Sequence, residues 1–270
     1  MLFSKASMAV IAAATLFSLN TLAAYQIPAD DQVLNHLGNC QQAGLPTTFN
    51  FFDWNIKKAE AKDAWAQDFT NFVSKSDLVF IQEAMMDSYM PNIVKAQNNF
   101  CWDFAASFLY DNADSTGVLS GATSPAAKVL FLRSPGRESV IKTPKMTLVT
   151  EYQMAGTNQT LMVANIHALN ATSNELNREQ VEEVAKVLRT HNGPMIFSGD
   201  FNSWNGGRIA HLDEILTPIG MVKVAFSSDS RKLKLDHIYV RGLEVLNSDI
   251  HEDIDSSDHK PLTARMRLAL

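Results

Sequence analysis

The sequence predicts an α/β protein with mixed sheets and helices packed outside them. Three observations carry that expectation. Short apolar runs of strand length alternate with amphipathic stretches of helical period. Several strand-like runs follow one another with no helix between them, which an all-parallel sheet with its crossover helices does not allow. No Pro-, Gly- or Ser-rich linker and no fixed-period repeat divides the chain, so its 270 residues hold one domain behind an N-terminal segment.

That segment carries Lys5, an apolar run over residues 8–19, and the small-residue ending Thr21-Leu22-Ala23-Ala24. The order is that of a secretory signal, and the apolar run is too short to span a bilayer. Residues 1–23 are expected to be a signal peptide cleaved after Ala23 or Ala24, and 24–270 the mature domain, periplasmic or secreted. A buried amphipathic helix is the competing reading, but no polar face interrupts the run. Strands are expected over 48–56, 78–81, 129–132, 146–154, 160–166, 195–198 and 237–240, where β-branched and aromatic residues cluster between turn formers. Helices are expected over 59–73, 88–98, 174–189 and 208–216. In the third, Leu176, Val181, Val184, Ala185 and Leu188 recur at helical spacing with charges between them, the pattern of a surface helix on a sheet.

Composition is that of an ordinary soluble protein, 46% hydrophobic and 19% charged, with 23 Lys and Arg against 29 Asp and Glu. The formal charge of -6 excludes a protein that holds nucleic acid by backbone electrostatics alone. It does not exclude an enzyme that brings local cations or a metal ion to a phosphate. Cys40 and Cys101 are the two cysteines, and in an exported chain they permit one disulfide, with two buried thiols as the alternative. A bridge would close a loop containing Asn55 and Glu83.

Polar residues gather at the ends of the expected strands, where a rigid scaffold can aim them into one cleft. Asn55 follows Asp53-Trp54, Glu83 follows Ile81-Gln82, and His167 follows the run 161–166. Asp200 and Asn202 come after Gly199, whose freedom allows a tight exit from its strand. Asp236 and His237 open a strand, and Asp258 and His259 precede the last apolar run. Singly, each reads as a cap or a turn former. Together they match attack of water on a phosphate ester held by a hard divalent cation. Oxygen donors such as Glu83 and the Asn55 amide suit Mg²⁺, Mn²⁺ or Ca²⁺ over zinc. A further carboxylate, Asp200, can activate the water, while His167 and His259 can donate protons or stabilise charge at phosphorus.

The blocks Trp54-Asn55-Ile56, Ile81-Gln82-Glu83, Ile166-His167-Ala168, Gly199-Asp200-Phe201-Asn202, Leu235-Asp236-His237-Ile238 and Ser257-Asp258-His259-Lys260-Pro261 run through nearly the whole mature chain. In order and content they resemble the endonuclease/exonuclease/phosphatase superfamily, and an exported bacterial branch of it. The resemblance implies a four-layer sandwich, two mixed β-sheets face to face with helices on both outer sides. It implies Glu83 as main metal ligand with Asn55 beside it, for Mg²⁺ or Mn²⁺ and with Ca²⁺ as a further option. Asp200 would orient the water and Asn202 would contact the phosphate. His259 would face the phosphorus, held by Asp236, and Asp258 would complete the surroundings of the metal or a second cation. His167 is similar to the deoxyribonuclease and sphingomyelinase branches, where abasic-site enzymes commonly have tyrosine. His237 reads as structural. The stretch 117–123 departs from the pattern, because it lacks the Ser-Arg pair of many members.

The activity implied is an exported, metal-dependent phosphodiesterase acting as a monomer, with nucleic acid as the expected substrate. A phospholipid or sphingolipid headgroup, or a phosphoinositide, is the alternative; a lipid hydrolase needs an apolar protrusion, and 104–110 reads instead as a buried strand. Lys142, Lys145, Arg231, Lys232 and Lys234 read either as a phosphate-steering strip or as solvated loop charge. Trp204 reads either as a stacking platform or as wall packing.

Overall fold

The computed structural model describes residues 25–269; the expected signal peptide and its cleavage point lie outside them. The strands in chain order are β1 (Leu34–Gly38), β2 (Thr48–Asn55), β3 (Leu78–Met86), β4 (Cys101–Leu109), β5 (Ser115–Ala122), β6 (Lys128–Arg133), β7 (Met146–Gln153), β8 (Thr160–His167), β9 (Met195–Asp200), β10 (Val222–Lys223), β11 (Asp236–Arg241), β12 (Leu243–Ile250) and β13 (Leu262–Leu268). The helices are α1 (Asp63–Val73), α2 (Met90–Lys95), α3 (Asn174–Leu188) and α4 (Gly206–Leu216).

They form a 7-stranded sheet in the order β1-β4-β5-β3-β2-β13-β12 and a 6-stranded sheet in the order β10-β11-β9-β8-β7-β6. Each sheet contains one parallel pair, β2 with β3 and β8 with β9, and the other pairs are antiparallel. A parallel pair needs a crossover, and α1 and α3 supply the two. Side chains alternate across each strand, so β2 sends Phe49 and Phe51 between the sheets and Phe52 and Trp54 to the outer face. Between the sheets Phe51 and Phe80 meet Leu161, Val163 and Ile196. Outside, Trp65 and Phe69 of α1 pack on Trp54, Ile81 and Trp102, while Val184 of α3 and Leu212 of α4 pack on Ile166 and Phe197. Each large side chain so buried contributes about 1.5–3 kcal/mol. The result is the expected four-layer sandwich with two mixed sheets inside.

The element boundaries differ from the expected ones for identifiable reasons. The helix expected over 59–73 starts only at Asp63, because Lys57, Lys58, Ala59 and Lys62 all take positive φ and form a separate turn. The one expected over 88–98 shrinks to α2, which starts where Asp87 Oδ1 accepts the backbone N–H groups of Tyr89 and Met90. β5 is a central strand that carries Gly117 and Gly121; a Cβ at Gly117 would stand 1.9 Å from the Ala105 carbonyl oxygen, so glycine lets β4 approach. Cys40 and Cys101 are joined, with Cα atoms 5.0 Å apart, tying the segment after β1 to the start of β4. Among the described residues no helix is long and apolar enough to cross a membrane.

Candidate active site

Asn55, His167 and Asp200 are the last residues of β2, β8 and β9, so the C-terminal ends of both parallel pairs supply the site. Register then sets neighbours: His167 lies opposite Asp200 across β8 and β9, and Asp200 opposite Asp236 across β9 and β11. Gly199 makes this possible. Its φ is 134°, and a Cβ there would stand 2.1 Å from the Ile166 carbonyl oxygen. Glu83 sits at φ 52° where the pairing of β3 with β5 slips between Ile81 and Ala84, a bulge that re-aims its side chain. His259 arrives from the loop before β13. Trp54 Nε1 donates to its carbonyl at 2.9 Å, and Ser257 Oγ donates to the Asn55 carbonyl at 2.7 Å.

These placements form a continuous line of contacts. Glu83 Oε1 is 3.9 Å from His167 Nε2, which is 3.6 Å from Asp200 Oδ2, which is 3.9 Å from His259 Nε2. His259 Nδ1 donates to both oxygens of Asp236, at 2.8 and 3.0 Å. Two lysines close the Glu83 end: Lys58 Nζ lies 3.1 Å from Glu83 Oε2, and Lys145 Nζ donates to His167 Nε2 at 3.0 Å.

The electrostatics follow from these neighbours. Burial alone would raise the Glu83 carboxyl, but His167, Lys58 and Lys145 outweigh it and hold it at about 2. Burial, reinforced by Lys145, pushes His167 well below the ordinary histidine value, consistent with a neutral ring accepting from the ammonium. Burial lifts Asp200 to about 6, against the pull of His259 and with the help of Asp236. Burial would depress His259, yet the Asp236 carboxylate beside it raises the ring to about 10. Across the pH range from about 6 to 10 the site therefore holds a carboxylate base next to an imidazolium acid.

Glu83, Asn55, His167, Asp200, Asp236 and His259 are brought together. Two other residues take different places from those expected. Asn202 Nδ2 donates to the Ala168 carbonyl at 2.9 Å and to Asp200 Oδ2 at 3.3 Å, so both amide hydrogens are engaged and it positions Asp200 instead of offering a phosphate donor. The Asp258 side chain is exposed and faces Lys57 Nζ at 3.9 Å; it lines the same cavity as Asp236 and His259 but stands outside the group of ligand atoms that Asp200, Asp236 and His259 form. Asn55 Nδ2 donates to Asp200 Oδ2 at 3.0 Å while its oxygen accepts from the Lys57 backbone. His237 is buried against Ser203 Oγ, and burial lowers it to about 3, which suits a structural ring.

The five basic residues do not form one strip. Lys145 is part of the line of contacts, Arg231 pairs with Asp229 at 2.9 Å and Asp236 at 3.6 Å, and Lys234 pairs with Asp229. Trp204 stacks over the Arg208 guanidinium, 4.8 Å from its ring centre.

Sequence reasoning missed three supports. Lys58 gave no signal, because its approach to Glu83 depends on the left-handed turn at 57–59. Arg208, fully buried, donates to the carbonyls of Leu169, Asn170, Thr172 and Asn202 and so fixes the loops that follow His167 and Asp200. Beneath the site, Gln82 Nε2 donates to Asp53 at 2.7 Å and to Asn165 at 2.8 Å, and Ser198 Oγ donates to Asp53 at 2.5 Å. Asp53 and Gln82 belong to one sheet, Asn165 and Ser198 to the other. Burial raises Asp53 to about 7.

The donor set fits a hard divalent cation. Glu83 is an ionised, partly open carboxylate, the oxygen donor such a cation prefers, and the Lys58 ammonium 3.1 Å from its Oε2 holds the position the cation would take over. Asp200, Asp236 and His259 also present ligand atoms within 4.8 Å of one another. Their chemistry suits a cation less, because His259 is bonded to Asp236 through Nδ1 and is held protonated.

Comparison with known proteins gives the family and the fold. The model of the Endonuclease/Exonuclease/phosphatase family matches residues 54–259. A UPF0294 protein of Vibrio campbellii is 29% identical over 263 residues, covering 90% of this chain and 91% of its own. The crystal structure of an endonuclease/exonuclease/phosphatase from Bacteroides vulgatus superposes with a TM-score of 0.66 at 14% identity, covering 82% of this chain and 99% of the other. ANGEL2, a 2',3'-cyclic phosphatase solved with adenosine-2',3'-vanadate, gives 0.63 at 16% identity, with 83% and 96% covered.

Proposed function

The chain belongs to the endonuclease/exonuclease/phosphatase family, and from that premise we propose that it is an exported, divalent-metal-dependent phosphoesterase that hydrolyses nucleic-acid phosphodiester bonds. The observation that carries the reading is the line Glu83–His167–Asp200–His259–Asp236, with an ionised base and a protonated acid side by side. Above pH about 6 Asp200 is an anion that can orient a water and take its proton. Asn55 and Asn202 hold its oxygens. His259, kept protonated by Asp236, offers an N–H and a positive charge to the phosphate oxygen as charge builds on it. His167, neutral, is held by Lys145, and Lys58 and Lys145 bring local positive charge to the site of a chain that is acidic as a whole. Mg²⁺ or Mn²⁺, held through Glu83, would polarise the phosphoryl oxygens.

Nucleic acid is favoured by the adenosine ligand of the ANGEL2 structure and by the cationic end of the line. A second reading, a phospholipid headgroup phosphodiesterase, has one observation in its favour: Val140, 79% exposed, and Ile141, 38% exposed, form an apolar tip on the loop before Lys145. Purified protein should be offered single-stranded DNA, RNA, duplex DNA and headgroup-labelled liposomes, with Mg²⁺, with Mn²⁺ and with EDTA. Hydrolysis of nucleic acid that stops in EDTA is the expected result. Turnover of liposomes alone would replace the substrate, and metal-independent turnover would overturn the mechanism.

A further inference from the structure

We propose that the cavity beside Glu83 and His167 is a subsite for one unpaired nucleobase, so that the enzyme cuts single strands and strand ends in preference to intact duplex. This rests on the reading above and specifies which form of nucleic acid the site accepts. A cavity of about 240 Å³ opens from the catalytic line, bounded on that side by Lys58, Glu83, Lys145 and His167. Its other wall is aromatic. Tyr25 stands edge-on to Phe108 at 4.9 Å and to Tyr110 at 5.6 Å, and Phe108 meets Tyr110 at 5.3 Å. Three rings that brace one another form a preorganised apolar surface of the kind on which bases stack. The backbone builds it: Gln26 and Leu109 exchange two hydrogen bonds, at 3.0 and 2.7 Å, which draws Tyr25 onto the end of β4.

Size and polarity select the occupant. Pockets for drug-sized ligands begin at about 300 Å³, so this one admits a single ring system with its sugar and not a base pair. A base inside a duplex would have to leave its stack to enter, at a cost that a single strand does not meet. A hydrocarbon chain would fit the rings but would strip water from Lys145 and Glu83 without replacing it. A base presents donors and acceptors at its edge and places its own phosphate next to Glu83 and His167.

The test compares kcat/KM for a single-stranded DNA oligomer, the same strand in duplex, and a fully abasic phosphodiester chain of equal length. The base-bearing single strand should exceed each of the others by about ten-fold or more, the scale of one base–aromatic stack. Tyr110→Ala should bring the ratio over the abasic chain towards one. Ile141→Trp, on the open mouth of the cavity where folding is not at stake, should do the same by filling it. If the abasic chain is cut as well as the base-bearing strand, or if Ile141→Trp leaves the ratio intact, the subsite is overturned while the phosphoesterase stands. If none of the three is cut and liposome headgroups are released, the nucleic-acid reading itself falls, and the subsite with it.

Discussion

Removing the carboxylate that holds His259 should change the pH dependence of turnover more than its height. In Asp236→Asn the ring loses the partner that bonds Nδ1 at 2.8 and 3.0 Å, while the burial that depresses it remains. Its value should therefore fall from about 10 to the ordinary 6.5 or below, a loss of roughly 5 kcal/mol of preference for the imidazolium. At pH 8 such a ring is only about 3% protonated, so the fraction of active enzyme drops about 30-fold. Near pH 6.2 the picture reverses, because both the Asp200 anion and the imidazolium are then more than half populated. The ratio of kcat at pH 6.2 to kcat at pH 8 should rise from about 0.6 in the wild type to about ten in the variant. A pH-independent loss from the freed ring would lower both rates and leave this ratio alone. The assay is a pH–rate profile at saturating substrate and metal, with circular dichroism to confirm folding. A basic limb that stays near pH 10 in Asp236→Asn would refute the assignment of His259 as the acid.

Glu83→Gln keeps the shape but removes the charge, and should raise the Mg²⁺ concentration for half-maximal activity by about ten-fold or more; an unchanged metal titration would move the cation elsewhere. Arg208→Ala leaves several buried carbonyls without a donor and should destabilise the protein by about 3 kcal/mol or more, measured by urea unfolding, with turnover falling in the surviving folded fraction. Reduction of Cys40–Cys101 frees a loop of sequence separation 61 and should lower Tm, the bridge contributing roughly 4 kcal/mol of stability on the chain-entropy account, while metal-dependent turnover persists at moderate temperature. Asp53 titrates near 7 in the native state against 3.8 when free, so the stability it favours is complete below about pH 3.8 and is lost as pH rises to about 7. Asp53→Asn should accordingly melt no lower than wild type at pH 8 and show no such advantage at pH 4; a lower melting point at pH 8 alone would contradict this.

Much of this was legible in the sequence because the site uses residues whose position along a strand fixes where they emerge. Asn55, His167 and Asp200 close strands and Asp236 opens one, and a strand's limits can be read from where its apolar run stops or starts. Gly199 reads in the sequence as a tight exit from its strand, whereas in the structure it lies within β9 and serves the close approach of β8. β5 was not legible, since its glycines make a buried central strand look like a loop; they are needed where β4 passes within contact of its backbone. Lys58 was hidden by the left-handed backbone that aims it, and Lys145 was recognisable only as a loop charge because its partner His167 lies across the sheet. The role expected of Asn202 depended on a free amide. Occupancy of that amide by Ala168 and Asp200 is a tertiary fact that no spacing encodes. Asp258 is next to His259 in sequence and lines the same cavity, yet it is an exposed partner of Lys57, and only His259 is bonded to Asp236.

The polar seam formed by Asp53, Gln82, Asn165 and Ser198 has a consequence for how accurately the site is assembled. Half of the reactive groups ride on one sheet and half on the other. Hydrocarbon packed between two sheets resists their separation but resists sliding only weakly, since its attraction has no direction. Hydrogen bonds do have direction, and Gln82 grips both sheets at once. Glu83 is the next residue after Gln82, and His167 is two beyond Asn165, so any lateral slip would reach the pair almost undiminished. Misplacement by about 1 Å can cost on the order of 100-fold in rate. The seam thus works as an alignment key between two halves of a tool: a greasy replacement could leave the sandwich just as hard to melt, and out of phase.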